Sequence, residues 1–318
     1  MKAKSCWALT IGVPGFDNQS IGLANALGLQ VELKYLDVVA PWKYLPPQLW
    51  VSPFKSLGPG SDPIEPPWPD VVIGTGRLTM ALSLAVKRAS GGRTTNIRIQ
   101  NPHMAYDQFD VIVAPRHDRC NRPNVIHTLG SLHTITPERI REATARFAQQ
   151  FANLPHPRVV VLVGGTNKCY RLTPEIGRVL GEQLAALSAT MGVGILLTPS
   201  RRTGAEAEAA LRDALADTPA YMWDGKGENP YLAFLGLADY ILVTADSVNM
   251  VSEACTTGNP VYVVGLEGGA KKFQRFHDAM RAAGYTRPFT GALEDWHYPP
   301  LDEIGTVVGE FHKRFAHL

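Results

Sequence analysis

The segment Tyr240-Ile-Leu-Val-Thr244-Ala-Asp246-Ser247-Val-Asn249-Met250-Val-Ser-Glu253-Ala254 carries the densest chemistry in the sequence. A continuous apolar strand ends at Thr244 and delivers Asp246 or Ser247 to the start of a helix, where free N–H groups suit a phosphate. Asn249 and Met250 follow in the first turn. Glu253 lies under two turns further on, where a carboxylate would accept hydrogen bonds from a ribose diol. The plainer alternative is that Asp246 and Ser247 only cap the helix and that Glu253 is a solvated acid.

Three other loops in the same half add to this. Ser200-Arg201-Arg202-Thr203-Gly204 follows a strand, and guanidinium forks match phosphate oxygens in bidentate geometry. An ordinary exposed arginine pair is the alternative. Gly164-Gly165-Thr166-Asn167-Lys168 allows close backbone approach to a ligand but lacks the spacing of a Walker loop, so a tight turn fits it equally. Trp223, ahead of Asp224-Gly225, would lie against a nucleobase or simply fill the core. Neither G-x-G-x-x-G nor D-x-D occurs, which argues against an NAD site and against a metal-dependent GT-A transferase.

The first half has its own polar loops. Gly12-Val-Pro14-Gly15-Phe16-Asp17-Asn18-Gln19 is expected to link a first strand to a helix near Ser20–Leu27. Asp17 would act there as general base toward a hydroxyl, and Asn18 as a ligand or an N-cap. Gly76-Arg77, Gln100-Asn101 and Arg116-His117 follow three successive strands, and together suggest a polar acceptor pocket. His117 and His103 are alternative bases. No His, Cys, Asp or Glu spacing suggests a metal site, and no cofactor is expected.

These residues need elements to hold them. The 318 residues suit two domains. With 45% apolar and 19% charged residues the chain is neither disordered nor a coiled coil. Lys+Arg of 31 against Asp+Glu of 29 is too balanced for a dedicated nucleic-acid binder. Four scattered cysteines form no disulfide framework and suit a reducing compartment. No signal peptide or membrane span is evident, so the expected place is the cytoplasm, with peripheral contact on the inner face of a membrane left open.

Apolar strands alternating with helices predict parallel sheets covered on both faces. One βα series runs over 1–152 and a second over 153–298, with a helix near Leu301–Ala316 within 299–318 that could pack back on the first. Thr136-Pro137-Glu138 signals a helix to about Phe151. The Pro41–Pro69 stretch holds Trp42, Lys43, Tyr44, Leu49, Trp50, Phe54 and Lys55, and reads either as core packing or as a membrane-interface segment.

The stretch from Tyr240 to Pro260 resembles the donor-binding end of GT-B glycosyltransferases, which implies Glu253 on the ribose and Ser247 with Asn249 on the diphosphate. Over most of its length the chain is similar to the mitochondrial-fission (elongated-mitochondria) family. The motifs that carry the likeness are GVPGFDNQ at 12–19, IGTGR at 73–77, IQNPH at 99–103, APRHD at 114–118, LVGGTNK at 162–168, PSRRTG at 199–204 and TADSVNMVSEA at 244–254. The resemblance implies an α/β fold with two Rossmann-like domains whose parallel sheets face across a cleft (GT-B-like). It also implies a glycosyltransferase with a nucleotide-sugar donor and a glycan or lipid-linked acceptor. A nucleotide-sugar epimerase or hydrolase on the same fold, or a non-catalytic adaptor that recruits proteins, are the alternatives.

Overall fold

The computed structural model describes residues 4–315. By its contacts the chain divides after Thr134 and again before Asp302. The first unit contains β1 (Ser5–Thr10), α1 (Pro14–Ala26), β2 (Gln30–Tyr35), β3 (Val71–Thr75), α2 (Met80–Ala89), β4 (Thr95–Ile99), β5 (Val111–Pro115) and β6 (Val125–Thr128). Its all-parallel sheet has the order β2-β1-β3-β4-β5-β6. The last helix, Glu303–Phe315, belongs to this unit and packs on β6 and α1. Its expected end at Ala316 lies outside the described residues.

The helix α1 starts six residues earlier than the sequence predicts. Pro14 has no N–H to lose and a fixed φ, so it opens the helix at its first position, behind an extended Val13. Gly15-Phe16-Asp17-Asn18 is therefore the first turn of a helix rather than a linking loop. Asn18 is not the N-cap, and no side chain caps this helix.

The second unit holds α3 (Pro137–Phe147), β7 (Arg158–Val163), β8 (Tyr170–Arg171), α4 (Pro174–Met191), β9 (Gly194–Pro199), α5 (Ala205–Ala214) and β10 (Ala220–Met222). It continues through α6 (Tyr231–Leu237), β11 (Tyr240–Thr244), α7 (Val248–Ala254), β12 (Val261–Val264), β13 (Glu267–Gly268), α8 (Lys271–Ala282) and β14 (Thr286–Pro288). The parallel sheet runs β10-β9-β7-β11-β12-β14, and β13 pairs antiparallel with β8. Every residue of β7 and β11 is buried, as expected for strands covered on both faces.

Thr136 caps α3 through the Arg139 amide at 3.3 Å, as its sequence signals. The sequence groups this helix with the first series, whereas its contacts are with α6. Gly236 makes that approach close, since a Cβ there would strike Ile140 at 2.7 Å and the Thr144 hydroxyl nearer still.

Candidate functional site

In a doubly wound sheet, ligands sit beyond the carboxyl ends of the strands where the order reverses. In the second unit that point lies between β7 and β11. The loops that leave these two strands are the ones the sequence singles out.

Asp246 organises them. Its side chain has no solvent exposure and accepts from the Gly165 amide at 3.0 Å, the Thr244 hydroxyl at 2.7 Å and the Arg202 guanidinium at 2.7 Å. Burial pushes the carboxyl above its usual range, and these three donors oppose that rise. Thr244 in turn accepts from the Gly164 amide at 2.7 Å, while the Gly164 carbonyl receives the Ser200 hydroxyl at 2.5 Å and the Thr203 hydroxyl at 2.9 Å. Three turns, after β7, β9 and β11, are thus tied together.

This changes the role of the glycines. The amides of Gly164, Gly165, Thr166 and Asn167 are all committed inside the protein, the last two to the carbonyls of Arg202 at 3.0 Å and Tyr170 at 2.9 Å. A Cβ on Gly164 would run into the Asp246 carboxylate, and one on Gly165, at φ +145°, into the Arg202 carbonyl. Both glycines serve turn packing, and their N–H groups are not open to a phosphate. Asn167 likewise turns its side-chain oxygen onto the Cys169 and Tyr170 amides at 2.7 and 2.9 Å. Arg202 and Thr203, expected on the donor, are also engaged in this network.

Six donor-side residues stand outside this network. Arg201 is exposed and has no partner among the described residues. Ser247 caps α7 through the Met250 amide at 3.3 Å, and Asn249 and Met250 are half-buried beside it. Glu253 accepts from the Tyr231 hydroxyl at 2.5 Å through Oε2, leaving Oε1 without a protein partner among the described residues. Tyr231 is the first residue of α6, so this bond ties α7 to the start of that helix. Burial raises the Glu253 carboxyl, and the tyrosine bond only partly offsets it. Trp223 is half-buried, with its indole N–H closing the loop onto the Lys226 carbonyl at 2.9 Å.

A pocket of about 610 Å³ lies one strand over, beyond the ends of β11, β12 and β14, with Lys271, Gln274 and His277 of α8 among its walls. Arg201, Ser247 and Glu253 do not line it. His277 abuts the Asp246 turn through the Ala245 carbonyl at 2.8 Å, and burial lowers its pKa. The sequence reading passed over α8, although Phe273, Phe276 and Met280 mark one apolar face. It also missed Tyr231, whose importance depends on a partner distant in sequence.

In the first unit the order reverses between β1 and β3. Asp17 accepts from the Thr10 hydroxyl, which also receives the Gly12 amide at 2.9 Å. Ser20 and Thr75 bond across the same point at 2.8 Å. Gly76, at φ +81°, lies where a Cβ would meet the Phe16 ring at 2.6 Å. Arg77 is turned onto the carbonyls of Leu45 at 2.8 Å and Lys43 at 2.5 Å.

The structure brings the remaining candidates together less than the spacing implies. Asn18 and Arg116 are exposed, and Gln100 is half-buried at φ +74°. Gln19 faces inward with Ser20 and Leu23. Asn101 is buried, donating to the Asp118 carbonyl at 3.0 Å and accepting from the His103 amide and the Tyr106 hydroxyl. His117 is buried, its Nε2 3.6 Å from the Asp118 carboxylate. Among the described residues no three His, Cys, Asp or Glu side chains cluster as metal ligands.

A family profile described as mitochondrial fission ELM1 matches residues 14–315. The mitochondrial fission protein ELM1 of Arabidopsis thaliana is 32% identical over 275 residues, covering 78% of this chain. The chain spans 64% of the length of that relative. A putative UDP-N-acetylglucosamine 2-epimerase from Listeria monocytogenes is similar in structure, with a TM-score of 0.60 at 11% identity, over 99% of this chain and 98% of that one. Acinetobacter baumannii MurG gives 0.54 at 14% identity, over 98% and 99%. The fold is α/β and GT-B-like, with two Rossmann-like parallel sheets.

Proposed function

The chain belongs to the mitochondrial fission ELM1 family, and from that premise we propose that it is a metal-independent glycosyltransferase moving a sugar from a nucleotide-sugar donor to a glycan or lipid-linked acceptor. The reading rests on two groups left open in the second unit, one on the turn after β9 and one on α7. Among the described residues Arg201 is a permanent cation with no acid partner, and Glu253 is a carboxylate with one unused oxygen. Arg201 would stabilise charge developing on the departing nucleotide diphosphate. Glu253, oriented by Tyr231, would accept from the ribose diol. Lys271 and Gln274 add donors beside the neighbouring pocket. In the first unit Asp17, steadied by Thr10, is assigned as the base for the acceptor hydroxyl.

Calorimetric titration with UDP-, GDP- and CMP-linked sugars tests this. One of the three should bind, and Glu253→Gln should weaken it about 10- to 100-fold, the worth of hydrogen bonds to a charged group. Absence of binding by all three, or binding indifferent to both Glu253→Gln and Arg201→Ala, refutes the reading. A second reading, a non-catalytic scaffold, is favoured by one observation: Asp246, Arg202 and the turn amides after β7 are satisfied without any ligand. It is supported if a protein partner is retained by both variants while nucleotide binding is absent.

A further inference from the structure

The excursion between β2 and β3 presents an apolar surface that the proposed transfer chemistry does not use. Val51 is 95% exposed, Tyr44 78%, Leu49 57% and Phe54 38%. The segment beneath them is firmly built. Trp50 is buried and its indole N–H donates to the Leu45 carbonyl at 3.3 Å, which sets the Tyr44 and Leu49 turns side by side. Arg77 pins the first of those turns through the Lys43 and Leu45 carbonyls. Phe54 stacks on Trp68 with ring centroids 6.0 Å apart, and the fully buried Ser56 bonds the Pro53 carbonyl at 2.6 Å. Large apolar side chains are therefore held out on a rigid base, so exposing them is not the by-product of a loose loop.

Charge identifies what covers this surface. Residues 38–61 contain Lys43 and Lys55 and no Asp or Glu, and both lysines are exposed without an ion pair among the described residues. Protein interfaces deplete lysine at their centres. Aliphatic tips with an amphipathic tyrosine and flanking lysines instead suit the boundary of an anionic bilayer, where apolar groups enter the acyl region and ammonium groups meet phosphates. We propose that the face made by Tyr44, Leu49, Val51 and Phe54, with Lys43 and Lys55, is a peripheral docking site for an anionic lipid surface. The contact does not depend on the transferase reading.

Flotation of the full chain with phosphatidylcholine vesicles, with and without phosphatidylserine, tests the proposal. The protein should float with the serine-containing vesicles, less with phosphatidylcholine alone, and less as salt rises. Lys43→Glu and Lys55→Glu should each lower binding by about five-fold or more, from the loss of one cation near the surface. Val51→Asp should abolish it while leaving the melting temperature unchanged, because the side chain it replaces packs against little. Three results overturn the proposal: no flotation with either vesicle, flotation untouched by Val51→Asp, or a dimer in sedimentation velocity that Val51→Asp dissolves, which would give this face to a second copy.

Discussion

Replacing Asp246 by asparagine isolates what its buried carboxylate does. The amide keeps the shape and one acceptor oxygen, which can stay on the Gly165 N–H. The other position becomes a donor, so the Thr244 hydroxyl proton loses its acceptor, while Thr244 still receives the Gly164 amide. Bonds to a charged acceptor contribute about 1.5–3 kcal/mol and neutral ones about 1 kcal/mol, so the two buried bonds together lose about 3 kcal/mol. The Arg202 pair adds less than about 1 kcal/mol, because the arginine side chain is 45% exposed and screened by solvent. Relief of the cost of burying a charge, the same cost that raises this carboxyl, returns part of the loss. The net is about 2 kcal/mol. For a unit of about 170 residues, that lowers the melting temperature by about 4–8 °C. Differential scanning calorimetry without nucleotide should show the shift in the transition of the second unit, and Arg202→Ala should move it by less than about 2 °C. If Arg202→Ala destabilises as much as Asp246→Asn, the buried bonds are not what joins the three turns.

Two other outcomes follow from the same site. Gly165→Ala forces a side chain onto a left-handed backbone and into the Arg202 carbonyl, so it should cost about 3 kcal/mol or more, read by chemical denaturation of the second unit. Glu253 is raised above the ordinary glutamate value, so its burial cost is absent below that value and grows as pH rises through the folded one. Acidification should therefore weaken nucleotide binding at a higher pH than an ordinary glutamate would, without a matching loss of stability from this group. Glu253→Gln should remove that pH dependence, which calorimetry at several pH values would show.

The strands were legible because both faces of each sheet are covered. Runs such as Arg158–Val163 and Tyr240–Thr244 stand in the structure where their apolar continuity puts them. Glycine and proline were the weak signals. Pro14-Gly15 reads as a turn, yet proline at a first helical position does the opposite. Gly164-Gly165 reads equally as an open cradle or a tight turn, and it is the turn, because the space is taken by Asp246 and the Arg202 backbone, which are far away in sequence. The same non-local cause hid Tyr231, and it hid the buried settings of Asn101 and His117. Short β6 and β14, each at a sheet edge, carry too few residues for a periodic pattern.

The first unit is written in two places along the chain. Glu303, buried in the last helix, accepts from the Leu129 and Gly130 amides at 2.8 and 2.5 Å, and Arg314 donates to the Val125 carbonyl at 2.8 Å. During synthesis the ribosome emits the whole of the second unit before these groups exist. A nascent chain therefore holds an unfinished first sheet, with β6 lacking its covering helix, until Glu303–Phe315 emerges. A protease or stop codon that removes this helix would unsettle the first unit rather than the strands of the second unit that precede it in sequence.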